Sequence, residues 1–231
     1  MRILVAGSSG GVGSAIAEKL RKEGDEVFTL SRSGEPSATH CVVDLSQASS
    51  VDVVRGFVKD RAPFDAVFSC SGILHGGWHM PEKSLSQMTG DWLQQNMLIN
   101  VQTHVHLAQA FEGLLSRRQP VRWLSLSAMV GSIEDNGLGG WYSYRMSKAA
   151  LNMFIKSLSI EWHRKSPDSV VVSLHPGTTD SALSEPFQAG IPEGKLYTPE
   201  QTAERLVSVM RELTPEKNGR LLHWDGSVIP F

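Results

Sequence analysis

The sequence is poor in cysteine, in runs of like charge and in long apolar stretches. Cys41 and Cys70 are the only cysteines in 231 residues, so no disulfide framework can staple a chain of this size. Lysine and arginine number 22 against 24 aspartates and glutamates, a formal net charge of −2, and no basic run breaks the balance. That leaves no electrostatic footprint for nucleic acid or an anionic lipid surface, and neither partner is expected. No apolar run approaches the ~18 residues of a membrane span. The opening Met1-Arg2-Ile3-Leu4-Val5-Ala6 turns into glycine and serine before a secretory core can form. The expected location is the cytoplasm, where both thiols stay reduced.

What is present is an alternation of short β-branched runs with longer helical segments. Strands are expected at residues 3–6, 26–31, 41–43, 66–68, 123–126, 169–174 and 220–223. Helices are expected at about 11–23, 47–60, 85–116 with a break near Thr89-Gly90, 142–164, and 199–213. Strands joined by helices imply parallel pairing, hence a doubly wound, Rossmann-like α/β sheet with helices on both faces. Nothing divides the chain, so residues 1–231 are expected to form one domain. The Pro- and Gly-rich stretch that follows Pro176 is long for a structureless connection, and residues 178–198 read as a substrate lid.

Between the first strand and first helix runs Ala6-Gly7-Ser8-Ser9-Gly10-Gly11-Val12-Gly13. Glycines at Gly7, Gly11 and Gly13 permit a tight turn and close approach of a pyrophosphate, with backbone N–H groups of a helix N-terminus facing it. Ser9 and Val12 lie in the same turn. The segment also matches G-x-S-x-G, a nucleophile elbow that would make Ser9 the nucleophile of a serine hydrolase, with His175 or His223 downstream. An elbow on the first strand leaves no earlier loop for the second oxyanion donor, which counts against that alternative. The second strand ends Leu30-Ser31-Arg32-Ser33, without the acid that an NAD ribose calls for. Arg32 offers a bidentate partner for a 2′-phosphate and Ser31 and Ser33 offer hydroxyls, so NADP(H) is favoured, with NAD(H) possible. Asp44, followed by Leu45, can accept from an adenine amino group or cap the next helix.

Tyr144 and Lys148 stand four residues apart at the start of the long helix and share a face. A phenol ordinarily titrates near pH 10, and a neighbouring cation is expected to lower that value. The pair suits proton transfer at a carbonyl or alcohol oxygen.

Together, Gly7/Gly11/Gly13, Asn100, Ser127, Tyr144/Lys148 and Pro176-Gly177 occur in an order that resembles the short-chain dehydrogenase/reductase family. Residues 130–144 and the tail Trp224-Asp225-Gly226-Ser227-Val228-Ile229-Pro230-Phe231 look like its C-factor and sniffer-type carbonyl reductase branch. The resemblance implies an NADPH-dependent oxidoreductase that reduces a ketone or aldehyde to an alcohol. Tyr144 would be the general acid, Lys148 would lower its pKa and hold the nicotinamide ribose, and Ser127 would bond the substrate oxygen. Asn100 would fix a kink and a water leading protons to Lys148. Cys70-Ser71-Gly72 stands where the family often has Asn-Ala-Gly beside the cofactor, and Pro176-Gly177-Thr178 would run past the nicotinamide. The resemblance further implies a homodimer or homotetramer built on the long helices. Ser127-Ala128 replaces the usual Ser-Ser pair, with Ser125 and Ser132 as runners-up. That departure keeps open a non-enzymatic, NAD(P)-binding signalling protein of the C-factor type.

The spacings of His75/His79 and His104/His106 do not suit metal ligands, and no metal is expected. Trp78, Trp141, Phe187, Ile191 and Leu196 suggest an apolar lining for the substrate.

Overall fold

Strand residues buried almost end to end, rather than alternately, are what a parallel sheet covered on both faces requires. The computed structural model describes residues 1–231. In chain order it has β1 (Arg2–Ala6), α1 (Gly11–Lys22), β2 (Glu26–Ser31), β3 (His40–Val42), α2 (Ser50–Lys59), β4 (Ala66–Ser69), α3 (Gly90–Met97) and α4 (Thr103–Ala110). There follow β5 (Arg122–Leu126), α5 (Tyr142–Lys165), β6 (Val170–His175), β7 (Thr178–Thr179), β8 (Leu196–Tyr197), α6 (Pro199–Glu212), β9 (Leu221–His223) and β10 (Val228–Ile229). The sheet runs β3-β2-β1-β4-β5-β6-β9-β10, parallel apart from the final antiparallel pair. This is the expected doubly wound, Rossmann-like single domain.

Two apolar layers flank the sheet. Leu4, Val67, Trp123 and Val171 pack with Leu107, Leu151 and Ile155 on one face. Val5, Phe68, Leu124 and Leu174 pack with Ile16, Leu20, Leu206 and Met210 on the other. Helix α6 begins in a capping box in which Thr198 and Gln201 bond reciprocally, and Pro199 supplies the first helical residue. No helix is long and apolar enough to cross a membrane.

The expected 85–116 helix is three pieces. A short 3₁₀ turn at Leu85–Gln87 precedes α3, and a π-helical turn at Leu98–Gln102 joins α3 to α4, which ends at Ala110. Thr89 caps α3 by accepting from the Trp92 N–H at 3.3 Å, which fixes the first break. Periodicity cannot register the second break, because a wide turn adds a residue without interrupting helical hydrogen bonding. Segment 176–198 is structured by the β7–β8 pair and a 3₁₀ turn at Glu185–Gly190. The edge pairing of β10 with β9 escaped the sequence reading, for two residues carry too little pattern.

Candidate active site

A cavity of about 670 Å³ opens at the carboxyl ends of β1, β4, β5 and β6. It lies where the strand order reverses, since β1 pairs with both β2 and β4. Open α/β sheets form their crevice at such a point.

One end of the cavity is glycine. Gly7 holds φ +81, and a Cβ there would sit 3.1 Å from the backbone of Cys70 and Ser71. A Cβ on Gly13 would stand 2.3 Å from the Gly7 carbonyl oxygen, so only glycine lets α1 approach β1 this closely. Helix α1 has no side-chain cap and no acid in its first turn, while Gly10, Gly11, Val12 and Gly13 line the cavity. Unshielded N–H groups at a helix N-terminus suit an anionic group such as a pyrophosphate. Arg32, exposed after β2, lines the same end. These residues fit a phosphorylated dinucleotide.

The other end holds the polar centre. Tyr144 and Lys148 are buried at 7% and 3% exposure, and both line the cavity. Lys148 Nζ donates to the Leu126 carbonyl at 2.9 Å. Burial pushes the Tyr144 phenol above its ordinary value and brings Lys148 down to about 7. Desolvation therefore outweighs the lowering of the phenol anticipated from the neighbouring cation, because burial disfavours both charged forms. Ser127 Oγ donates to Asn152 Oδ1 at 2.7 Å, and Asn152 Nδ2 donates to the Gly131 carbonyl at 3.2 Å. Asn100 lies behind the wall. Its Nδ2 donates to the Ile73 carbonyl at 3.0 Å and to Ser147 Oγ at 2.9 Å, and its Oδ1 accepts from the Ile73 N–H at 2.7 Å. His104 Nε2 donates to the Ser71 carbonyl at 3.0 Å. The floor segment 71–73 is thus pinned from one helical strip.

Cys70, Ser71, Gly72, Pro176, Gly177 and Thr178 all line the cavity. Burial raises the Cys70 thiol to about 12, so it stays protonated. Five expected contacts lie off the wall. Ser9 is exposed on the glycine turn. Ser31 is buried and spends its proton on the Ser33 carbonyl, while Ser33 is exposed and stands off the wall. Asp44 Oδ1 accepts from the Ser46 N–H at 2.9 Å in a turn ahead of α2, which begins at Ser50 without a side-chain cap, so Asp44 does not cap that helix. Leu45 packs into the core.

The apolar lining also differs from expectation. Trp141 and Phe187 line the cavity with ring centres 5.2 Å apart, joined by Leu74 and Val130. Trp78 is 100% exposed, and Ile191 and Leu196 are not on the wall. His75 Nε2 donates to the Ala182 carbonyl at 2.9 Å and ties the two loops across the chamber.

Sequence reading missed Glu82, which is 2% exposed. Its carboxylate accepts from the Ser143 N–H at 3.2 Å and from the Ser143 hydroxyl, and its carbonyl accepts from the Trp141 N–H. A carboxylate from a distant loop therefore caps α5 two residues before Tyr144. Trp141 itself holds a left-handed φ of +51, which is strained for a bulky residue and is fixed by that contact. Asn152 was missed too, although Tyr144, Lys148 and Asn152 recur at four-residue steps. His175, considered only as a hydrolase histidine, and Ser181, which carried no recognised motif, are both on the wall.

Comparison with known proteins places this geometry. A 1-hydroxy-2-glutathionyl-2-methyl-3-butene dehydrogenase of Rhodococcus sp. (strain AD45) is 31% identical over 243 residues, covering 99% of each chain. The carbonyl reductase Sniffer of D. melanogaster shares the fold with a TM-score of 0.85 at 22% identity, covering 100% of this chain and 99% of its own. An NADPH-bound carbonyl reductase from chicken fatty liver superposes with a TM-score of 0.84 at 20% identity, covering 100% and 98%. The short chain dehydrogenase family model matches residues 1–191, and the chain belongs to that family of oxidoreductases.

Proposed function

We propose that the protein is an NADPH-dependent reductase that converts a ketone or aldehyde to an alcohol. The observation that carries this reading is a buried Tyr144–Lys148 pair in one cavity with a glycine-built, uncapped helix N-terminus. Gly7, Gly11, Gly13, Arg32, Gly72 and Lys148 would hold the dinucleotide, with Pro176, Gly177 and Thr178 along its nicotinamide end. When bound, it supplies the hydride. Tyr144, kept as a phenol by burial, donates its proton to the carbonyl oxygen as that oxygen gains charge. Lys148 Nζ, 5.8 Å from the ring centre, is the cation facing the phenolate that remains. Ser127 turns its proton from Asn152 toward the substrate oxygen, and Asn152 keeps the hydroxyl aimed. Asn100 sets the width of the turn behind Lys148.

NADP(H) is preferred because Arg32 lines the cavity where β2 ends and the strand-end sequence Leu30-Ser31-Arg32-Ser33 contains no acid. The NADPH of the chicken carbonyl reductase is in keeping with that preference. Trp141, Phe187, Leu74 and Val130 give the substrate a hydrophobic body, and segment 178–198 acts as the lid. Met146, Met153 and Ile160 recur every seven residues on α5 and are 48%, 67% and 48% exposed, an apolar stripe suited to a second copy of the chain. We therefore infer a homodimer or homotetramer, and keep the cytoplasmic location expected from the sequence. A panel of ketones and aldehydes with NADPH, followed by loss of its absorbance, tests the assignment. Tight NADPH binding with no turnover across the panel would overturn it in favour of a signalling protein.

A further inference from the structure

Three polar side chains stand in a row across neighbouring strands at the cavity end of the sheet. The β5–β6 register pairs Leu126 with Leu174, and the Ser127 N–H donates to the Leu174 carbonyl at 2.9 Å. The next pair along is Ser127 and His175. The β6–β9 register then pairs His175 with His223. Side chains alternate along a strand. Trp123 and Val171 pack on the α5 face, so Ser127 and His175 point to that face too, one strand spacing apart.

His175 lines the same cavity as Tyr144 and Ser127. Its Nδ1 is shut off from the cavity, as is the Nδ1 of His223 behind it, so the ring nitrogen open to the chamber is Nε2, which bonds no group of the chain. The two rings meet edge to face with centres 5.2 Å apart. Asp225, bonded by the Ser227 hydroxyl at 2.6 Å, stands 3.7 Å from His223 and closes the row at the surface. A ring nitrogen that faces the cavity without a partner in the chain is open to a hydrogen bond from a bound molecule. None of the bonds that fix the cavity wall uses the His175 ring.

We propose that His175 determines specificity by binding a second oxygen of the substrate, so that the chamber selects carbonyl compounds with a hydroxyl or keto oxygen on the adjacent carbon. This rests on the reductase reading above. A spacing of one strand, about 4.8 Å between the backbones that carry Ser127 and His175, suits two oxygens on neighbouring carbons. The apolar surroundings and the His223 ring bring His175 down to about 4, so it meets the substrate as a neutral imidazole. Such a ring has one donor and one acceptor and serves a hydroxyl or a keto oxygen alike. It offers no positive charge to a carboxylate, so hydroxy- and diketones are selected over keto acids. The remainder of the substrate lies against Trp141 and Phe187.

The probes are phenacyl alcohol and acetophenone, which differ by one hydroxyl on the carbon next to the carbonyl. Each is measured with NADPH on the wild-type chain, His175→Phe and His175→Asn. The ratio of kcat/KM between the two ketones, compared across variants, removes their difference in intrinsic reactivity. That ratio should fall about tenfold in His175→Phe, chiefly through KM for phenacyl alcohol, and recover in part in His175→Asn. A ratio unchanged to within about twofold in His175→Phe overturns the proposal. If neither ketone is reduced by the wild type, the reductase reading fails by itself. Quenching of tryptophan fluorescence by the two ketones then decides the role of His175. Tighter binding of phenacyl alcohol that disappears in His175→Phe upholds it, and equal binding overturns it.

Discussion

Tyr144 and Lys148 lie one turn apart on α5, yet the Lys148 ammonium donates to the Leu126 carbonyl at 2.9 Å and stands 5.8 Å from the centre of the Tyr144 ring. On the proposed reading the pair is a proton donor beside a cation held by the end of β5, and the Tyr144 hydroxyl bonds no group of the chain. Tyr144→Phe should reduce kcat by about a thousandfold or more, within the range for loss of a proton-transfer group. NADPH binding followed by fluorescence should change little, and the melting temperature should hold. Retained turnover would remove Tyr144 from the chemistry.

Lys148 makes the chain less stable below its ordinary titration range. Its value is about 7 when folded against an ordinary 10.5, so between those limits the unfolded chain binds the extra proton. Stability from this group therefore rises with pH across that window, and the full penalty is present below it. Lys148→Met should melt roughly 5 °C higher than the wild type near pH 6, with the gap closing toward pH 10. The same variant should be inactive. Thermal melts of both proteins across pH check the sign.

Arg32 is an exposed cation at the glycine end of the cavity, with the Asp44 carboxylate near enough to feel its charge. Arg32→Ala should weaken NADPH by about ten- to a hundredfold through loss of a charge-assisted bidentate contact, and leave NADH nearly as before. Parallel titrations with the two nucleotides give the comparison. Equal weakening of both would refute the phosphate role.

The Glu82 carboxylate accepts both the backbone and the hydroxyl proton of Ser143. Glu82→Ala strands two buried donors at the start of α5 and should cost about 2–6 kcal/mol in urea unfolding, at roughly 1–3 kcal/mol for each unmet donor. Glu82→Gln keeps an acceptor and should recover most of that loss. Because Trp141 and Tyr144 follow this cap directly, kcat should fall more than KM rises in Glu82→Ala.

A Cβ on Gly13 meets a backbone oxygen at 2.3 Å, a clash that rotamer changes cannot relieve. Gly13→Ala should push α1 off β1, lower the melting temperature by several degrees and abolish nucleotide binding, as calorimetry would record.

The parts legible in the sequence are those in which chemistry is written into the backbone or into one element. Gly7 and Gly13 are forced by main-chain approach, and Tyr144 and Lys148 by helical spacing, so both could be read directly. The alternation of short strands with helices gave away the parallel sheet. Glu82 could not be found this way, since a glutamate in a polar loop looks solvated until a helix end 60 residues downstream arrives over it. Trp78 looked like lining and is solvent-exposed, because aromatic content does not say which way a loop turns. His175 enters the sequence reading only as a possible partner of a hydrolase Ser9, and its place beside Ser127 shows only through strand register across two strands distant in the chain.

The π-helical turn at Leu98–Gln102 has an angular consequence. Along a regular helix, a residue eight positions on is rotated by about 80° from where it began. The wide turn takes back part of that rotation, and Asn96, Asn100 and His104 remain in one file. Asn100 is thereby phased onto Ile73, and His104 onto Ser71, on either side of Gly72. Removal of a single residue from this turn would swing everything beyond it by about 100° and take His104 out of phase with Ser71. The length of the helix, counted to one residue, is the gauge that sets the cavity floor.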